Sequence, residues 1–266
     1  MYIRTFLILA LCLPAMAEKP LVSEILAAPK NGGIYVVCHR GAHENTPENT
    51  LAAYQRAIDL GADYVEIDTR TTKDGQIVSV HNSTVDSYTK DAKGKVADFT
   101  LAELKAMDIG SRVDVKWKDE RIPTFEEILT LCKGKIGIYL DLKSADVAVL
   151  FQMVKDHGME KDVIWYCDPE EHKYVKEHGG ISMPDPGPEK FLAEMLVEYE
   201  PAVVASVWEY FSPTFVSKCH EAGAVVIVDE SDPSCWDDAL AWGTDGIQTD
   251  HPEDFINYLK KRAQSH

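Results

Sequence analysis

Ile34-Tyr35-Val36-Val37-Cys38-His39-Arg40-Gly41 is an apolar run that ends abruptly in a histidine, an arginine and a glycine. Tyr64-Val65-Glu66-Ile67-Asp68 repeats the pattern with two carboxylates at its close. Both are short and Val/Ile-rich, apolar up to their polar ends, as suits a strand covered on both faces in a parallel sheet. Further runs of this kind are Ile77–His81, Ile136–Leu142, Val163–Cys167, Ile181–Met183, Ala202–Ser206, Ala224–Val228 and Asp245–Thr249. Helical patterns lie between most of them, such as Glu48–Leu60, Thr124–Cys132, Ser144–His157 and Pro188–Tyr199. Gly61, Gly158 and Gly223 stand where a helix C-terminus favours a left-handed residue.

Repeated βα units over most of the chain predict an α/β fold, a (β/α)8 TIM barrel. Nine strand candidates for eight places leave one surplus, and it is expected between residues 180 and 206. The link from Asp68 to Ile77 is long enough to cross the barrel in extended form, so the second and third strands are expected to be parallel. Residues 82–120 are too long for a plain loop and read as a small insertion after the third strand.

All strand C-termini of such a barrel meet on one face, where barrel active sites lie. Glu66 and Asp68 are two apart on a strand and share a face. Two carboxylates in one site repel unless something positive sits between them, and a hard divalent cation with oxygen ligands is the economical answer. The fourth strand offers Asp141 as a third carboxylate, and Lys143 on the same face as a positive charge for an anionic ligand. His39-Arg40 and His81-Asn82 close the first and third strands. His43 is near the first of these in sequence but is assigned no role.

The chain has 266 residues, 45% of them hydrophobic and 27% charged, which excludes disordered and fibrous classes. With 27 Lys+Arg against 44 Asp+Glu its net charge is −17, and no basic stripe offsets it, so nucleic acid is excluded as a partner. Met1–Ala17 reads as a secretory signal peptide: Arg4, an apolar run from Phe6 to Leu13, and Ala15-Met16-Ala17 as the cleavage pattern. That run is shorter than the roughly 20 residues of a membrane span, so no stable membrane insertion is expected. The barrel domain then occupies residues 18–266, exported to a periplasmic or extracellular location. The odd number of remaining cysteines, without paired spacing, argues against a disulfide framework or a zinc site.

His39-Arg40-Gly41, Pro47-Glu48-Asn49-Thr50-Leu51-Ala52-Ala53, Gly61-Ala62-Asp63, Glu66-x-Asp68, Thr72-Lys73-Asp74-Gly75 and His81 follow one another as in the glycerophosphodiester phosphodiesterase family. The resemblance continues through Ile122-Pro123-Thr124-Phe125-Glu126-Glu127 and Gly246-Ile247-Gln248-Thr249-Asp250-His251-Pro252. It implies a βα barrel with a small insertion, and metal-dependent hydrolysis of glycerophosphodiesters to glycerol 3-phosphate and an alcohol. It further implies one divalent cation, Mg²⁺ or Ca²⁺, on Glu66, Asp68 and Asp141, with His39 and His81 carrying protons as a general acid/base pair. Arg40 and Lys143 are then placed to hold the substrate phosphate. Three departures bear on the head group. His81-Asn82 replaces His-Asp, and Asp141-Leu142-Lys143 replaces Glu-x-Lys, as in the related spider-venom phospholipase D enzymes. Val228-Asp229 does not reproduce a Trp-Thr pair. Two alternatives stand beside hydrolysis of a small diester: an exported phosphate-ester binding protein without catalysis, and a lysophospholipid or inositol-lipid phosphodiesterase on the same barrel.

Overall fold

The computed structural model describes residues 25–230 and 232–264; the expected signal peptide, residues 1–17, lies outside them. Eight strands form one parallel ring: β1 (Tyr35–Cys38), β2 (Tyr64–Thr71), β4 (Gly137–Ser144), β5 (Val163–Tyr166), β6 (Ile181–Ser182), β7 (Val203–Val207), β8 (Val225–Asp229) and β9 (Gly246–Thr249). Their spatial order is β6-β5-β4-β2-β1-β9-β8-β7. β6 and β7 meet through the backbone bond from the Ala205 N–H to the Pro184 carbonyl. The fold is the expected TIM barrel.

The surplus strand is not where it was expected. β3 (Ile77–Ser79) pairs antiparallel with β2 and stands outside the ring, while both runs between residues 180 and 206 belong to it. β2 runs on to Thr71, which leaves only Thr72–Gln76 for the connection. Thr72 donates its hydroxyl to Asp74 at 2.6 Å, and Gly75 at φ 78° completes a tight turn. A hairpin results where a crossover was expected. The insertion therefore still follows the third strand in the chain, but it lies between the second and third strands of the ring.

Strand side chains divide by parity. Val36, Cys38, Val65, Ile67, Ile138, Leu140, Trp165, Val226 and Ile247 face outward and pack with helix residues Tyr54, Phe125, Leu129, Leu150, Phe215 and Phe255. Tyr35, Val37, Tyr64, Tyr139, Ile164, Ile181, Val203 and Ile227 face inward and fill the barrel. The inward parity, continued to the C-terminal strand ends, passes through His39, Glu66, Asp68, Asp141, Tyr166, Asp229, Gln248 and Asp250. The same period-two alternation that fills the barrel thus delivers its polar mouth.

Helices α1 (Leu51–Leu60) and α3 (Phe125–Cys132) begin at Thr50 and Thr124, whose hydroxyls accept from Ala53 and Glu127 amides. Between β3 and α3 the insertion carries one helix, α2 (Leu101–Ala106), also capped by a threonine. It has its own apolar cluster, in which Val85, Tyr88, Val96, Leu104 and Ile109 pack on Val78 and Val80 of the β3 hairpin. The remaining helices, α4 (Val147–Asp156), α5 (Pro169–Glu177), α6 (Leu192–Tyr199), α7 (Pro213–Glu221), α8 (Trp236–Trp242) and α9 (Pro252–Gln264), alternate with strands β4 to β9. Among the described residues no helix is long and apolar enough to cross a membrane.

Candidate active site

The turn after β1 is built for close approach. Arg40 and Gly41 lie at φ 53° and 84°, and a Cβ on Gly41 would sit 2.7 Å from the Ala53 Cβ. Only glycine lets the turn pack this tightly on α1. The Arg40 N–H consequently donates to Glu66 Oε2 at 2.6 Å. Its guanidinium reaches Glu48 Oε1 at 3.3 Å, with Nε 4.0 Å from Asp68 Oδ2. Asn49 donates through Nδ2 to Asp68 Oδ2 at 2.8 Å, and its own Oδ1 accepts from the Tyr54 and Ser79 hydroxyls. The Pro47–Thr50 motif is thus a scaffold: Glu48 and Asn49 orient the site, and Thr50 starts α1.

β2 and β4 pair so that Asp68 stands beside Asp141. Glu66, Asp68 and Asp141 each bring an oxygen within 4.8 Å of the others. Glu66 is 2% exposed and Asp68 0%, and Asp68 Oδ1 is buried without a hydrogen-bond partner. Lys143 Nζ donates to Asp141 Oδ2 at 2.6 Å and lies 3.5 Å from Asp68 Oδ1. Burial pushes the Glu66 carboxyl well above the usual carboxylate range, and the charges of Asp68 and Asp141 push it further. Burial raises Asp141 as well, against the pull of Lys143. Lys143 would be lowered by its burial, but Asp141, Asp68 and Glu66 together raise it. The cluster is short of positive charge even with Lys143 in it. A buried carboxylate oxygen without a hydrogen bond among three converging carboxyls suits a hard cation with oxygen ligands.

The two histidines are oriented differently. His39 Nδ1 lies 2.7 Å from Asp250 Oδ1, and His43 Nε2 lies 2.9 Å from the same oxygen. An ionised carboxylate only accepts, so His39 Nδ1 is the donor in this contact, and in the neutral ring Nε2 then keeps its lone pair. His81 Nδ1 faces Asn82 Oδ1 at 2.9 Å, a neutral acceptor that orients the ring as a carboxylate would, without its charge. Because β3 is antiparallel, His81 reaches the mouth from above the rim rather than as the end of a barrel strand. Arg70 pins it there by donating from Nε to the Val80 and His81 carbonyls at 3.0 and 3.1 Å.

His39, Arg40, Glu66, His81, Asp141 and Lys143 all line one cavity of about 270 Å³ in the mouth, with the fully buried Asp68 adjoining. The structure therefore gathers every residue singled out from the sequence. Sequence reasoning missed Asp250, which meets both His39 and His43, left His43 without a role, and missed Asp185 and Asp229, which line the same cavity. Asp250 lay within a motif used only for its resemblance, and a position two past an inward residue of a strand was the available signal. Tyr88 of the insertion is 3% exposed and takes the Asn82 N–H on its hydroxyl. Trp117 fastens the insertion to the β1–α1 loop through Nε1 and the Asn45 carbonyl.

The model of the glycerophosphoryl diester phosphodiesterase family matches residues 39–179, which include all of these residues from β1 to β5. A glycerophosphodiester phosphodiesterase of Caldanaerobacter subterraneus subsp. tengcongensis is 33% identical over 246 residues, spanning 85% of this chain and 98% of that protein. An Oleispira antarctica phosphodiesterase solved in complex with the product sn-glycerol-3-phosphate superposes with a TM-score of 0.78 at 24% identity, covering 91% of this chain and 100% of that one. A glycerophosphodiester phosphodiesterase from Agrobacterium tumefaciens gives a TM-score of 0.75 at 24% identity, over 84% of this chain and 99% of that one. Barrel, mouth and relatives agree: the chain belongs to the glycerophosphoryl diester phosphodiesterase family and is a phosphoric diester hydrolase.

Proposed function

We propose that the protein hydrolyses small glycerophosphodiesters to glycerol 3-phosphate and an alcohol, with one divalent cation, Mg²⁺ or Ca²⁺, held by Glu66, Asp68 and Asp141. The observation that carries this reading is the Asp68 Oδ1, buried without a hydrogen bond, within a cluster of three carboxyls whose charge Lys143 alone does not offset. A cation bound there would supply Lewis acidity to a non-bridging phosphate oxygen. Arg40 and Lys143 hold the phosphate and balance the charge that grows on it in the transition state. Nε2 of His39, with the proton fixed on Nδ1 by Asp250, is free to take or give a proton at the reacting oxygens. His81, held by Asn82, serves the opposite partner. Asp250 acts as a positioning residue for His39.

The direct test is release of the free alcohol, choline or inositol, from glycerophosphocholine, glycerophosphoinositol and lysophosphatidylcholine by the cation-loaded protein. The other product is sn-glycerol 3-phosphate from the first two and lysophosphatidate from the third. Release from the first two supports the reading, and turnover confined to the lysolipid would transfer the activity to a membrane surface. Binding without release from any of the three leaves a phosphate-ester binding protein.

The same reading places the barrel domain at residues 18–266 and the protein outside the cytoplasm, periplasmic or extracellular. The support is the sequence of Met1–Ala17. Expressed in full in a bacterial host, the protein is expected in the periplasm or medium with Glu18 as its first residue. N-terminal sequencing checks this, and a retained Met1 on cytoplasmic protein would overturn it.

A further inference from the structure

The chemistry proposed above draws mainly on one arc of the barrel mouth, formed by β1, β2 and β4. The facing arc, from β5 to β9, is polar too, but lines the cavity with carboxylates and no lysine or arginine. Asp185 follows β6, Asp229 ends β8, Gln248 lies on β9, and all three line the same cavity as His39 and Lys143. Asp185 accepts from the Gly187 N–H at 2.7 Å and from the Tyr166 hydroxyl. Asp229 is hydrogen-bonded to the Gln248 side chain, whose amide nitrogen is its only donor. The cations of the mouth are committed elsewhere, Arg40 to Glu48 and Lys143 to Asp141. Among the described residues neither Asp185 nor Asp229 forms an ion pair with a lysine or arginine.

A second observation points to a ligand. Gln248 is 5% exposed, and its Oε1 is buried with no hydrogen-bond partner. Asp185 and Asp229 thus bring two carboxylates to the cavity, and Gln248 lines it beside them with a buried acceptor still to be satisfied. Burial raises both carboxyls. The Gly187 and Tyr166 hydrogen bonds lower Asp185 while Asp229 raises it, and His39, Gln248 and Arg40 lower Asp229 while Asp250 raises it, without restoring either to its ordinary value. Tyr139 and Tyr166 stand beside them with ring centroids 6.0 Å apart. A diester with its phosphate on Arg40, Lys143 and the proposed cation sends a substituent across to this arc. Glycerol hydroxyls would meet the acceptors but leave the negative charge unbalanced. An ammonium group meets both needs, and tyrosine faces suit a quaternary one.

We propose that Asp185, Asp229 and Gln248, walled by Tyr139 and Tyr166, receive the alkylammonium group of the alcohol. The enzyme then prefers glycerophosphodiesters of ethanolamine and choline to those of glycerol and inositol. This rests on the phosphodiesterase reading and names its substrate class. The test is kcat/KM of the full cation-loaded chain on these four diesters, for the native protein, Asp185→Asn and Asp229→Asn. The native protein is expected to favour the two cationic diesters by about tenfold or more, and each variant to lose about five- to tenfold on them relative to the glycerol diester. Equal rates on all four diesters overturn the proposal. So does an equal loss on all four in both variants, because the carboxylates would then hold the shared glycerol or support His39. Calorimetric binding of the same four diesters answers the question independently of turnover. A protein that hydrolyses none but still binds the cationic pair more tightly fails as a phosphodiesterase and keeps this site; equal affinities remove the site.

Discussion

Stripped of divalent cations, the protein is expected to lose its turnover of glycerophosphodiesters and to regain it when Mg²⁺ or Ca²⁺ is restored. Glu66, Asp68 and Asp141 converge with one buried oxygen that accepts no hydrogen bond and a single lysine among them, and Lys143 cannot offset three carboxylates. The same cation should stabilise the fold, since a ligand that binds only the native state adds stability by mass action. At a hundredfold excess over Kd this is about 2.7 kcal/mol, or a Tm rise of about 5–10 °C for a chain of this size. Asp68→Asn keeps the shape and removes a charge, so it should abolish both the rise in Tm and the turnover. Full activity in excess chelator, with no metal retained by elemental analysis, would sink the metal-dependent mechanism. The thermal shift separates a failure of cation binding from a failure of chemistry.

His39→Ala and His81→Ala should each lower kcat by about 10²–10⁴, the usual worth of a positioned proton transfer. Both side chains face the cavity rather than the packed interior, so folding should survive either change. The double variant should fall less than the two losses multiplied, because groups that act in one displacement are not independent. A diester of nitrophenol leaves with little need for protonation. It should rescue whichever variant lacks the acid and leave the other slow, which assigns the roles. If both folded variants turn over a natural diester at near-normal rates, the pair carries no proton.

Much of this site could be read from the chain because a barrel strand states its own geometry. Glu66 and Asp68 end an apolar run, so their burial, common face and place at the mouth all followed from period two. Ile77–Ser79 misled for the same reason. Its residues are buried like those of the ring strands, and burial carries no sign of direction. What set the direction was the length of β2, which overran Asp68 as far as Thr71 and shortened the link to a turn. Strand ends depend on tertiary pairing, here with β3 and β4, which local composition does not encode. Asp250 escaped because its meaning lies in contacts with His39 and His43, more than two hundred residues away. Such a contact exists only once the ring closes β9 against β1.

That closure is uneven. β2 and β4 share a long register and β1 is paired on both sides, whereas β6 and β7 meet at the Ala205–Pro184 bond. The mouth is therefore mounted on a frame that is stiff along one arc and compliant along the other. Charge placed on a phosphate needs stiffness, since small misplacements cost much of its worth. The arc from β5 to β9, which contains the seam, faces the part of a diester that varies from one substrate to the next. Alterations of preference can then accumulate beside the seam, at Asp185 and the loops around it, while the frame that performs the reaction keeps its dimensions.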